Sequence, residues 1–263
     1  KITRYGFDFT LRCTGEDKGD MKSFSVSQLN LFLQCPYAWY AQKVLNIKIP
    51  KSDNLFFGSS VHFALESFYH GKDPVVTIEQ YIRINPHGER PTSFNIEKNV
   101  KEGKAMMELY KTKGPYFEPD MIEERRTVDL LNPVTQEALP VPFTFKFDLI
   151  SDENIIDFKT TKGNGLKQDD LNRHQGLAYF LAHRALFGKP PKGFIQVSLV
   201  KQKTPKIVPL ILHYSLDEEV WFWNLARKVL DMIAKQEYLT ALPLIKTFYP
   251  CPVKEICPIH GGK

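Results

Sequence analysis

Residues 155–161 read IIDFKTT. In an extended strand successive side chains point to opposite faces, so Asp157 and Lys159 share one face and Phe158 takes the other. A second acid, Asp148, lies in the apolar run FTFKFDLI (143–150), and Ser151, Asp152, Glu153 and Asn154 form a turn signal between the two runs. A two-residue turn centred on Asp152 and Glu153 sets Asp148 opposite Asp157. The same register puts Lys146 and Lys159 on their face and Phe145, Phe147, Ile156 and Phe158 on the other. Directly opposed residues have Cβ atoms roughly 4.5–5.5 Å apart, where like charges repel. One remedy is a solvated charged face in which Lys146 and Lys159 neutralise the acids, an arrangement worth little energy. The other is a hard divalent cation, which turns the repulsion of convergent carboxylates into binding. A lysine beside it orients water or stabilises charge developing in a transition state. Acid-x-Lys after a separate Asp suits hydrolysis of a phosphodiester.

Other elements must carry this hairpin. SFSVSQLNLFLQCPYAWYAQKVL (23–45) has apolar residues near helical spacing after Ser25 or Ser27 as N-cap, with Pro36 kinking or dividing the helix. GSSVHFALESFYHG (58–71) reads as a short helix ended by glycine. Residues 72–95, rich in Pro, Gly, His and Asn, read as loop with one helical turn at most, and a further helix covers Phe94 to Lys113. Short β-rich segments follow, MIEERRTVDLL, VPFTFKFDLI and NIIDFKTT. An amphipathic helix (DDLNRHQGLAYFLAHRALFG), two strands (GFIQVSLV, KIVPLILHYS) and a long final helix complete the chain. This order implies an α/β fold with a central mixed sheet flanked by helices. Glu123 and Glu124 precede a strand and are read as solvent-facing or supporting groups.

At 263 residues, 43% hydrophobic and 13% aromatic, the chain can bury a sizeable core. It shows no apolar run of membrane-spanning length and no leader, so a soluble, cytoplasmic protein is expected. The net charge of +5 is compatible with a polyanionic partner but does not demand one. Residues 1–22, with a polar TGEDKGD stretch, read as an extension or tag before a domain spanning 23–263. Four cysteines, Cys13, Cys35, Cys251 and Cys257, are too few for a disulfide scaffold and suit a reducing compartment.

From about Ser23 to Cys257 the chain resembles the PD-(D/E)XK nucleases of the RecB and Cas4-like exonuclease family, which have a restriction-endonuclease-like core. Five stretches carry the resemblance in order: SVSQLNLFLQCPYAWY (25–40), FGSSVHFALE (57–66), FKFDLI (145–150), IIDFKTT (155–161) and HQGLAYFLA (174–182). The resemblance implies that His62, Asp148 and Asp157 coordinate the catalytic cation, with the Phe158 carbonyl a further ligand and Lys159 the catalytic lysine. Gln175 and Tyr179, one helical turn apart, would line the site. An imidazole ligand shifts preference from Mg²⁺ toward Mn²⁺. Without the resemblance, His62 reads as a packing histidine paired with Glu66, and Gln175 and Tyr179 as helix surface and core.

Many such relatives bind a [4Fe–4S] cluster through one cysteine in the first helix and three near the C-terminus. Cys35, Cys251 and Cys257 match three of these, and Phe248 stands where the other would fall. Cys13, His260 or a residue beyond Lys263 could complete the set, as a cluster or as a Cys3His zinc site, and the cysteines could equally be packing residues. A metal there would clasp the two ends of the domain. The expected activity is metal-dependent cleavage of single-stranded or end-exposed DNA in recombination, CRISPR adaptation or phage DNA processing, with a helicase, recombination or adaptation protein as partner. The alternatives are a non-catalytic DNA-binding module and an RNA nuclease. No ligand of the set is missing, which favours the enzyme.

Overall fold

The computed structural model describes residues 21–163, 170–237 and 257. Ser25 caps α1 (Val26–Gln34), and α2 (Pro36–Lys43) follows at once. Pro36 divides the pair as its missing N–H requires, and Cys35 closes one helix and caps the next, its sulfur accepting the Ala38 N–H at 3.4 Å. Next, α3 (Asp53–Tyr69) is capped by Ser52 and begins five residues earlier than the small-residue signal suggested. Gly58 therefore lies inside the helix. A Cβ there would meet Thr160 Oγ1 at 3.3 Å, so its absence allows α3 to approach the strand that carries Thr160.

The segment read as loop contains α4 (Pro74–Ile84), an 11-residue helix. Pro74 occupies its first turn, where no intrahelical N–H is needed, and the Asp73 carboxylate accepts from Val75 and Val76. A proline counted toward a loop composition is thus a helix start. After it comes α5 (Ile96–Lys113), then β1 (Met121–Ile122), β2 (Arg125–Val128), β3 (Phe143–Lys146), β4 (Leu149–Ser151) and β5 (Asn154–Thr161). The remaining described elements are α6 (Asp170–Phe187), β6 (Gly193–Val200), β7 (Lys206–Leu212) and α7 (Leu216–Ala234). The five-stranded sheet runs β1-β4-β5-β6-β7, with β5 and β6 parallel across the α6 crossover and the other pairs antiparallel; β2 and β3 form a separate ribbon. This is a mixed α/β sheet flanked by helices.

The hairpin register is the expected one, Leu149 opposite Ile156 and Ile150 opposite Ile155. Asp152 and Glu153 both have positive φ, 45° and 61°, as a two-residue turn of matching twist needs. The facing of the phenylalanines is different from that expected. Phe145 and Phe147 pack with Ile150, Ile155 and Tyr179 in the core shared with α1, α6 and α7, while Ile156 and Phe158 pack in the second core, against α3, α4 and α5. The run FTFKFDLI is not one strand: it breaks between Lys146 and Leu149, so alternation is lost there and Asp148 sits at the bend. Among the described residues no helix is long and apolar enough to cross a membrane.

Candidate active site

From α3 comes His62, whose Nδ1 lies 3.3 Å from Asp148 Oδ1 and 3.8 Å from Glu123 Oε1. The bend that displaces Asp148 from the strand turns its carboxylate toward this ring. Its other oxygen accepts the Phe158 N–H at 2.8 Å, tying the bend to β5. Glu123 occupies the break between β1 and β2 with φ of 45°, a backbone state costly for a residue with a Cβ. Its N–H donates to the Asp148 carbonyl at 3.0 Å, and its carboxylate, 7% exposed, also takes the Lys146 ammonium. One ligand atom from each of His62, Glu123 and Asp148 fits within 4.8 Å of the others.

Beside this trio stands a second set. Asp157 is 1% exposed; its Oδ1 receives Lys159 Nζ at 2.8 Å and Gln175 Nε2 at 2.9 Å. Gln175 also donates to the Tyr179 hydroxyl at 3.2 Å, which in turn donates to the Lys146 carbonyl at 2.8 Å. The structure therefore places His62 and Asp148 in one group and Asp157, Lys159, Gln175 and Tyr179 in a second beside it, the two joined by the Phe158 N–H to Asp148; the trio whose ligand atoms lie together takes Glu123, not the predicted Asp157. Glu123, assigned to solvent or support, stands in the first group. Its signal was only an acid between two short strand segments, and the backbone state that turns it inward is not legible in MIEERR. Glu124, by contrast, is half-buried and pairs with Arg126.

The electrostatics are those of a site short of positive charge. Burial disfavours the His62 cation, but the Asp148 carboxylate, with Glu123, outweighs that and pushes its pKa up to about 10. Burial likewise disfavours the Lys159 ammonium, and Asp157 and Asp148 more than restore it, so it is held protonated. Burial alone would raise Asp148; His62 and Lys159 hold it below the usual carboxylate range. Asp157 is raised, by burial, against the pull of Lys159. Tyr179 is raised by burial and by both aspartates, so it remains a phenol and a hydrogen-bond donor.

The donor set fits a divalent cation. Oxygen and imidazole ligands suit Mg²⁺ or Mn²⁺, and Asp157 Oδ2 is buried with no hydrogen-bond partner, a state that costs free energy unless something compensates it. The trio and Lys159 open onto a groove of about 910 Å³.

Residues 23–258 match the sequence profile of the PD-(D/E)XK nuclease superfamily. The chain belongs to that superfamily. Among solved structures, a "putative exonuclease" from Eubacterium rectale superposes with a TM-score of 0.63 at 15% identity, over 97% of this chain and 93% of that one. At that identity the likeness shows the fold alone. A second structure, SSO0001, is 14% identical with a TM-score of 0.46, covering 90% of this chain and 86% of that one, too distant to argue from. No curated protein matches the sequence. A PD-(D/E)XK nuclease uses divalent metal, consistent with the carboxylate–imidazole cluster.

Of the cysteines expected to form a clasp, Cys35 and Cys257 are buried. Burial raises the Tyr37 phenol of α2, and Cys257 lies close enough to add to that. Cys13, Cys251 and His260 lie outside the described residues, as does nearly all of the N-terminal extension.

Proposed function

We propose that the chain is a metal-dependent deoxyribonuclease of the RecB and Cas4-like branch, acting as an exonuclease on single-stranded or end-exposed DNA in recombination, CRISPR adaptation or phage DNA processing. The observation that supports it is the convergence of His62, Glu123 and Asp148 along one groove with Lys159, which is paired with the buried Asp157. His62, Glu123, Asp148, Asp157 and the Phe158 carbonyl are the groups that would hold Mg²⁺ or Mn²⁺. When bound, such a cation supplies a Lewis acid for phosphate and lowers the pKa of water. Lys159, held as an ammonium, donates to the phosphate oxygen that gains charge. Gln175 fixes the Asp157 carboxylate, and Tyr179 fixes Gln175.

The cysteines are proposed to hold a separate structural metal, a [4Fe–4S] cluster or zinc, that fastens the C-terminal segment to the helix capped by Cys35. The burial of Cys257 near Tyr37 supports this.

The test is digestion of end-labelled single- and double-stranded DNA and RNA of one sequence, with Mn²⁺, Mg²⁺ or EDTA. Metal-dependent loss of the DNA label from one end is expected. Cutting of RNA alone would move the reading to a ribonuclease, and binding without cutting would favour a non-catalytic module.

A further inference from the structure

The residue after His62 is Phe63, which stands 42% exposed on the wall of the same groove. Its ring leans on Tyr81 of α4, with centroids 5.0 Å apart and planes at 40°. Tyr81 is buried and is met in turn by the edge of the His87 ring at 6.4 Å. Phe63 is thus backed by a packed aromatic side chain while its open part lines the groove beside the ligand cluster. Packing alone does not call for so large an apolar group at that rim.

The same groove is lined by Lys159 of β5, by Thr160 and Thr161 at the end of that strand, and by the exposed Lys162 just beyond it. Thr161 Oγ1 is buried without a hydrogen-bond partner. The groove therefore offers aromatic surface and cations together. Stacked bases run beside phosphates in this way in single-strand channels, where the ring contact is indifferent to sequence because every base has a π-face. In a duplex those faces are covered by neighbouring bases, and a wall aromatic has nothing to stack on.

We propose that Phe63, supported by Tyr81 and His87, is a stacking platform for an unpaired nucleobase adjoining the phosphate held by Lys159 and Lys162. The inference rests on the nuclease reading of this groove and names its substrate class: a single strand or a frayed end, DNA or RNA. The base enters against Phe63 as its phosphate meets the lysines. Duplex substrates must open by at least one pair to reach the site.

The experiment uses the full chain in EDTA, so that binding is read whether or not the protein cuts. One sequence is offered as single-stranded DNA, single-stranded RNA and blunt DNA duplex, with 2-aminopurine placed singly along the strand. The wild type should bind single strands tighter than duplex and quench 2-aminopurine at one position. Phe63→Leu keeps an apolar side chain without a π-face; it should lose that quenching and bind single strands about tenfold more weakly, with duplex binding little changed. The DNA and RNA arms show which backbone the groove prefers. Phe63→Trp should retain both signals, and it decides the matter if the leucine variant proves unstable in thermal unfolding. Equal affinities and equal quenching in wild type and Phe63→Leu would overturn the proposal and leave Phe63 as a contact for some other macromolecule, as would weaker single-strand binding by Phe63→Trp. Adding Mn²⁺ to the same samples reads cleavage separately, so the failure of catalysis and the failure of stacking are distinguishable.

Discussion

Gln175 Nε2 lies 2.9 Å from Asp157 Oδ1, the same oxygen that Lys159 holds at 2.8 Å. An acid from β5, a lysine two residues on and an amide from the crossover helix thus meet at one atom. The helix exists to connect two parallel strands, and its packing on the sheet fixes where the amide falls.

Gln175→Ala removes the donor that orients Asp157 and leaves the lysine in place. By analogy with lost supporting partners of metal ligands, the rate should fall roughly 10- to 100-fold. Steady-state cleavage of a labelled oligonucleotide measures it, and Tyr179→Phe, which removes the donor to the Lys146 carbonyl, should show a smaller effect.

Glu123→Gln tests the residue that sequence reading assigned elsewhere. If its carboxylate helps hold the cation, the Mn²⁺ concentration for half-maximal cleavage should rise roughly 10- to 100-fold. An unchanged Mn²⁺ requirement would return Glu123 to its pairing with Lys146 alone.

Much of this was legible in the chain because local rules and the fold agree. Pro36 divides the first helix, the Asp152–Glu153 turn sets the register, and IIDFKTT is one continuous strand. Where the reading failed, backbone geometry intervened. The Lys146–Leu149 break sent Phe145 and Phe147 to the opposite core from Phe158, and it also freed Asp148 to face His62. The left-handed state of Glu123 has no glycine to announce it. Asp73 and Pro74 were a cap and a first turn in a segment whose composition resembled a loop.

Stability should depend on a pair outside the site. Arg184 of α6 donates to both oxygens of Glu219 on α7 at 2.9 and 3.1 Å, and Glu219 is only 2% exposed. Glu219→Ala removes the buried acceptor of a half-buried guanidinium that water can still reach, a change that costs roughly 1–3 kcal/mol in comparable settings. Urea unfolding measures the loss.

The proposed clasp predicts that metal and stability go together, since binding to a site absent in the unfolded chain adds to folding free energy. Cys257→Ser should lower both the content of iron or zinc and the unfolding midpoint. A variant as stable as the wild type, from a protein with neither metal, would leave Cys35 and Cys257 as buried packing residues.

The central claim is that Lys159 and the carboxylate–imidazole cluster form a metal-dependent phosphodiesterase centre. Its most direct test compares wild type and Lys159→Ala on an end-labelled single-stranded DNA with Mn²⁺, with bound Mn²⁺ measured alongside. The account predicts rapid cleavage by the wild type, none in EDTA, and loss of cleavage by Lys159→Ala despite retained Mn²⁺ binding. Cleavage by the variant at the wild-type rate, or by the wild type without any divalent cation, would contradict it.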